Sequence, residues 1–260
     1  MILTVTDFGV GPPYLAQMKA AALAVAPDVP VLDLFADLPA FRAQAAAYLL
    51  AAYAGDFPPD STFLCVVDPG VGGDRAAIVV RAQGRWFVGP DNGLLAIAAR
   101  RDGDARAWTI DWRPARLSAS FHGRDLFAPV AAGLARGGDV PGRPVGLDTL
   151  VGADWPDELA QIVYCDGYGN AMTGLRADRL PADARLQVAG RELPRARTFA
   201  DVPPGTAFWY ENANGLAEVA VNQGRACDLL GLAPGAAVGI AAQPGRGTLE
   251  PRQTPSQNGE

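Results

Sequence analysis

Phe63-Leu64-Cys65-Val66-Val67-Asp68-Pro69-Gly70-Val71-Gly72-Gly73-Asp74-Arg75 decides the reading of the fold. A continuous apolar run, rich in valine and cut off by Pro and Gly, predicts a buried strand rather than a helix. A second apolar run, Ala76 to Val80, begins directly after Arg75. Asp68 is thereby expected at the C-terminal end of one strand and Arg75 at the entry to the next. Open α/β sheets place ligand chemistry at that edge. Two readings of the pair stay open on these residues alone. Asp68 can cap its own turn with Arg75 as its neutralising partner, or the two can orient a water or a polar substrate.

Outward from this stretch, strand-like and helix-like runs alternate. Ile2–Thr6 reads as a strand ending at Asp7, followed by a helix from Tyr14 to Ala26 with Pro12 and Pro13 at its start, where a missing N–H costs nothing. Val29–Phe35 is the next strand and Phe41–Tyr53 the next helix. Strands over Ala76–Arg81, Arg85–Val88 and Trp108–Trp112 follow, with helices over Leu94–Arg100 and Leu126–Arg136; Asp91 or Asn92 is the expected N-cap of the first of these. Such alternation predicts a three-layer α/β domain with a mainly parallel sheet, over residues 1–150. Beyond the Gly/Pro cluster at 141–146 the runs become short: Gln161–Asp166, Ala171–Leu175, Arg185–Val188, Ala207–Glu211, Ala217–Val221 and Ala236–Ala241. They predict a smaller all-β, barrel-like domain over residues 151–245. The polar, proline-containing stretch 246–260 is expected to be a disordered tail.

Composition limits the function. Of 260 residues 49% are apolar, and the net charge is −6, so a basic nucleic-acid face is not expected. Three cysteines without a C-x-x-C pair support neither a disulfide framework nor a cysteine zinc site. With no leader-like start and no apolar run of membrane-spanning length, a soluble cytoplasmic protein is expected.

Several residues carry candidate chemistry. Asp7 can accept hydrogen bonds from ribose hydroxyls or be a structural carboxylate; the following glycines do not continue as G-x-G-x-x-G, so pyrophosphate binding is weakly supported. His122, the single histidine, sits in a loop beside Gly123 and can be catalytic or a packing residue. A metal set of Asp7, Asp68, Asp125 and His122 is conceivable but lacks the usual histidines. In Tyr164-Cys165-Asp166-Gly167-Tyr168-Gly169-Asn170, Tyr168 can stack on a base with Asp166 or Asn170 reading its polar edges, or the segment can be a tight turn.

In combination, Thr6–Gly9, Tyr14 with Gln17–Lys19, Val67–Gly72 with Arg75, Gly89–Gly93, Phe121–Asp125 and Asp166–Asn170 resemble, in order, the S-adenosyl-L-methionine (SAM) hydroxide adenosyltransferases, relatives of the fluorinases and chlorinases. The resemblance implies hydrolysis of SAM to adenosine and L-methionine with no metal and no cofactor, SAM being the substrate. It also implies a homotrimer whose sites lie between the first domain of one subunit and the second domain of its neighbour. Asp68, Arg75 and His122 match the family's catalytic set and Asp7 its ribose carboxylate. Gly123, Asp166, Tyr168, Asn170, Asn212 and Asn214 correspond to further substrate contacts. The intact Asp68 and His122 and the compact segment 81–93 favour the hydrolase branch over the halogenases; a SAM-binding protein without turnover is the other alternative. Pro12, Phe35-Ala36 and Asn212-Ala213-Asn214 depart from the family pattern, chiefly where the methionine moiety is recognised.

Overall fold

The computed structural model describes residues 1–241; the tail expected over 246–260, and the last residues of the second expected domain, lie outside the described residues. The strands β1 (Ile2–Thr6), β2 (Val31–Phe35) and β3 (Thr62–Val66) lie where the apolar runs predict, with helices α1 (Tyr14–Val25) and α2 (Ala43–Tyr53) between them. They are followed by β4 (Ala77–Ala82), β5 (Arg85–Pro90), helix α3 (Ala96–Arg100), β6 (Arg106–Ile110), helix α4 (Ala128–Ala135) and β7 (Gly142–Val145). These seven strands form one sheet in the order β2-β1-β3-β5-β4-β6-β7. Every residue of β1 and β3 is buried, as expected of central strands covered on both faces. Alternation along the strands sends Leu3, Val5, Phe63 and Cys65 into a core with α2 and α3. It sends Ile2, Leu64 and Val66 into a second core with Met18 and Ala22 of α1 and Ala131 and Leu134 of α4. Helices therefore cover both faces, and the three layers are present.

The sheet is not mainly parallel. β1–β2, β1–β3 and β3–β5 are parallel, whereas β4–β5, β4–β6 and β6–β7 are antiparallel. The cause is local: Gln83 and Gly84 both adopt positive φ (49° and 71°), the two-residue hairpin geometry that turns β4 back as β5. β7 was not expected either. The Gly/Pro cluster, to which no strand is assigned from the sequence, contains the sheet's last strand, and an edge position tolerates Pro144 because its outer side needs no ladder donor.

The second half is built from β8 (Leu159–Cys165), β9 (Ala171–Arg176), β10 (Arg185–Val188), β11 (Arg191–Leu193), β12 (Ala207–Glu211), β13 (Leu216–Val221), helix α5 (Ala226–Leu230) and β14 (Val238–Ala241). They form two antiparallel sheets, β12-β13-β9-β8 and β11-β10-β14, around a core that includes Trp209, Leu186 and Val219. The half is not purely β: α5, ended by left-handed Gly231, interrupts it. Leu159, Val163, Met172 and Leu216 join the same core as α2, so the two halves share apolar packing. Tyr164 also donates its hydroxyl to Asp37 at 2.9 Å across that junction.

Candidate active site

Asp68 emerges two residues past β3, and Arg75 returns to meet it. Arg75 donates from Nε to Asp68 Oδ1 at 2.9 Å and from Nη2 to Oδ2. The same Nη2 lies 3.0 Å from His122 Nδ1. The Asp68 side chain is 3% exposed and that of Arg75 11%, so the pair is shielded from solvent. The Arg75 guanidinium also sits over the Phe127 ring, 5.3 Å from its centroid. An arginine can only donate, so Nδ1 of His122 carries the lone pair and the ring proton resides on Nε2. Burial, and then the charge of Arg75, hold the His122 pKa below its usual value, so the ring is neutral at pH 7.

The loop between Asp68 and Arg75 closes only because Gly72 is a glycine. Its φ is +81°, and a Cβ there would lie 2.4 Å from the carbonyl oxygen of Ala119. That contact brings the segment bearing His122 beside the Asp68 loop. His122 itself precedes a π-helical turn, Gly123–Phe127, that runs into α4; such turns recur at functional sites. Gly123 is buried against Val66 and Met18, where a Cβ would come within 3.3 and 3.4 Å of their side chains. Asp125 accepts from Ser118 N at 2.8 Å and from Arg124 Nε and Nη2 at 2.5 and 2.9 Å, which ties the His122 loop to its own turn. Asp125 is thus committed to that turn, and among the described residues no group of three His, Cys, Asp or Glu side chains could hold a metal ion. The conceivable set of Asp7, Asp68, Asp125 and His122 is not assembled.

Asp7, Asp68, His122 and Gly123 line one cavity of about 120 Å³, with Phe8, Phe41 and Phe121 among its walls. Desolvation raises the Asp7 pKa above its usual value, opposed by the N–H of Phe41, which donates to Asp7 Oδ2 at 3.1 Å. Phe41 adopts a positive φ of 65° and is 76% exposed, an uncommon backbone state for an aromatic residue. The sequence carries no signal for that. Nor does it mark Asn92 as a support of Asp68, yet its amide donates to Val67 O at 2.7 Å while its carbonyl accepts from Leu94 N.

The remaining expected site residues gather elsewhere. Asp166, Tyr168, Asn170, Asn212 and Asn214 line a cavity of about 750 Å³ in the second half. Within one chain the two cavities have no lining residue in common. Tyr168 is 81% exposed and open to a ligand. Asp166 accepts from the backbone N–H of Asn170 at 2.8 Å and from its amide at 3.3 Å. Asn212 is committed to its own turn: its carbonyl accepts from Asn214 N and Leu216 N, both at 3.0 Å, and its amide donates to Glu218 at 2.8 Å. Asn214 reaches across to Asp56 at 2.6 Å. Glu218, which sequence reasoning missed, is 3% exposed on β13. It accepts from Tyr210 Oη at 2.7 Å as well as from Asn212, while desolvation raises its pKa. The sequence offers no signal for it beyond its place in the run Ala217–Val221, and every residue of β13 is buried.

A mixed α/β scaffold with a shielded carboxylate–guanidinium–imidazole contact at the sheet's C-terminal edge defines a small-molecule enzyme of the α/β class. Residues 2–142 match the SAM hydroxide adenosyltransferase N-terminal domain and residues 160–239 the SAM hydroxide adenosyltransferase C-terminal domain. The chain belongs to the SAM hydroxide adenosyltransferase family. It is 39% identical over 250 residues to the (R)-S-adenosyl-L-methionine hydrolase of Thermus thermophilus, covering 88% of this chain and 95% of that protein. It is equally 39% identical, over 253 residues, to the (R)-S-adenosyl-L-methionine hydrolase of Salinispora arenicola, covering 91% and 96% of the two chains. Among solved structures, an uncharacterized conserved protein from Thermotoga maritima superposes with a TM-score of 0.83 at 30% identity, covering 93% of this chain and 100% of that one.

Proposed function

We propose that this protein hydrolyses (R)-S-adenosyl-L-methionine to adenosine and L-methionine, water attacking C5′ of the ribose. The observation that carries the reading is the Asp68–Arg75–His122 contact beside Asp7 in one cavity. The sulfonium leaves as a neutral thioether, so the leaving group needs no proton. The demand falls on the nucleophile, since water is weak and hydroxide scarce at neutral pH. Neutral His122, with its proton on Nε2, can donate to a water oxygen. Asp68 accepts the proton that the water releases, and Arg75 stabilises the charge that develops and keeps both partners in place. Asp7 holds the ribose hydroxyls so that C5′ is presented in line with sulfur.

Two half-sites that share no wall within one chain support an assembly in which the second-half cavity of a neighbour covers the Asp7–Asp68 cavity, and we take that assembly to be a homotrimer. In it Tyr168 stacks on adenine, with Asp166 and Asn170 facing polar groups of the substrate, while Asn212 shapes the turn and Asn214 borders the methionine end. The two antiparallel sheets of the second half, bridged at Gln161–Ala237, act as one barrel-like unit. Three free cysteines fit a reducing, cytoplasmic setting.

The test is chromatography of SAM incubated with purified protein in chelator, with and without chloride, beside Asp68→Asn. Adenosine and methionine formed by the wild type alone support the reading. A 5′-chloro product moves the protein to the halogenases, loss of activity in chelator restores a metal, and bound but unconverted SAM leaves a binding protein.

A further inference from the structure

The far end of the main sheet holds a second polar cavity, of about 570 Å³. Gln83, in the β4–β5 hairpin, marks that end: β5 runs parallel to β3 with Trp86 opposite Thr62, so the hairpin lies at the end opposite Asp68. Four arginines line the cavity (Arg100, Arg101, Arg176 and Arg179) against two carboxylates, Asp157 and Glu158. Both carboxylates are already taken. Asp157 meets Arg100 at 3.0 Å, and Glu158 accepts from Arg176 Nε and from its backbone N–H, each at 2.6 Å. Arg179 touches Asp178 only at 3.9 Å, with both side chains exposed.

Arg101 is left over. Its Nε and Nη2 are buried, and neither has a hydrogen-bond partner among the described residues. Burial and the charge of Arg176 both push its pKa below the ordinary arginine value. A guanidinium does not shed its proton under physiological conditions, and buried charged donors without acceptors are costly. The two atoms lie side by side on one edge of a planar fork, the pattern that receives two oxygens of one anion. With Arg100 on Asp157, Arg176 on Glu158 and Arg179 beside Asp178, Arg101 is the one positive charge of this lining left over, which suits an anion with two oxygens to offer the fork.

We propose that the cavity around Arg101 is an anion site that takes a phosphate group, free or carried by a small metabolite. The site is remote from the Asp68 cavity and stands whether or not the hydrolase reading does. Thermal-shift and calorimetric titrations with inorganic phosphate and with glycerol phosphate, at constant ionic strength set by sodium chloride, test it on the full chain. The expected result is a rise in Tm for the wild type and at least tenfold weaker binding for Arg101→Gln, with turnover of SAM in phosphate-free buffer unchanged. Tighter binding of glycerol phosphate assigns the site to a phosphorylated metabolite, and tighter binding of inorganic phosphate to the free ion. Arg101→Lys, which keeps the charge and loses the fork, serves where the Gln variant does not fold and is expected to weaken binding in the same direction. No response of the wild type to either probe, or an equal response in the Arg101 variants, overturns the proposal.

Discussion

Replacing Arg75 by Met tests the site at its centre. The methionine stem keeps apolar contact with Phe127 but removes the charge and every donor that Asp68 and His122 use. Asp68, 3% exposed, is left as a buried carboxylate without its partner, a change that costs about 3–5 kcal/mol in comparable buried pairs. Loss of a donor that stabilises developing charge lowers kcat by about 10²–10³-fold. The third consequence is the most discriminating. The charge of Arg75 is the second largest cause, after burial, of the lowered His122 pKa, and Asp68 pulls the other way. Without Arg75 the burial contribution remains, one opposing charge disappears and the Asp68 carboxylate is no longer neutralised, so the His122 pKa must rise. His122 is the only histidine of the chain, so a tag-free sample has a single imidazole C2–H resonance that needs no assignment. Titrating it by NMR in wild type and Arg75→Met, beside urea unfolding and kcat, reads all three effects. A His122 pKa that stays put or falls, or a kcat within tenfold of wild type, would refute the reasoning; Arg75→Lys, with charge kept and fork lost, separates charge from geometry if the Met variant is too unstable.

Three further outcomes are expected. Protonation of His122 at Nδ1 sets an N–H and a second positive charge against Arg75 Nη2 and breaks that contact, so activity should fall as pH drops through the lowered His122 pKa, placing the acid limb of kcat below pH 6.5, the ordinary histidine value. A depressed histidine pKa means the unfolded chain binds the proton first, so this group's contribution to stability also declines as pH falls from 6.5; a flat kcat profile down to the onset of unfolding would remove His122 from the chemistry. Glu218→Gln sets an amide against the donors Tyr210 and Asn212 and should cost about 1–3 kcal/mol in denaturant unfolding, with KM for SAM raised more than kcat is lowered. Gly72→Ala forces a Cβ to 2.4 Å from Ala119 O at a φ of +81°. It should cost about 1–3 kcal/mol and depress kcat by loosening the contact of Arg75 with His122, readable as an upward shift of the same NMR titration.

Much of the scaffold was legible in the sequence. β1, β3 and β9 lie within a residue or two of their apolar runs, and Asp68 lies beyond a strand end as its Pro69-Gly70 stop requires. The errors fall where local pattern is ambiguous. Ala76–Arg81 and Arg85–Val88 were recognised as strands, but their mutual direction depended on two residues, Gln83 and Gly84, whose positive φ makes a hairpin. Pro141–Gly146 shows no strand signal because Pro and Gly are poor in central strands; only its position beside β6 shows why an edge tolerates them. α5, five residues long, is too short for a helical period to register. In the site, Asp7, Asp68 and His122 each carried two readings, and Glu218 and Arg101 carried none.

What the sequence by itself determined is what contiguous residues decide: the alternation of strands and helices, the covered faces of β1 and β3, the carboxylates at strand ends, and through six ordered motifs the family. What only the tertiary structure decided depends on residues far apart in the chain. Arg75 meets His122 across 47 positions, Asn214 meets Asp56 across 158, Asp68 and Tyr168 line separate cavities, and Nε and Nη2 of Arg101 have no acceptor among the described residues. Local period reports which face of an element is apolar; it does not report which charged groups meet once those faces are packed. That is set by the register of the sheet and by close approaches such as Gly72 on Ala119, which bring Asp68, Arg75 and His122 within hydrogen-bonding distance.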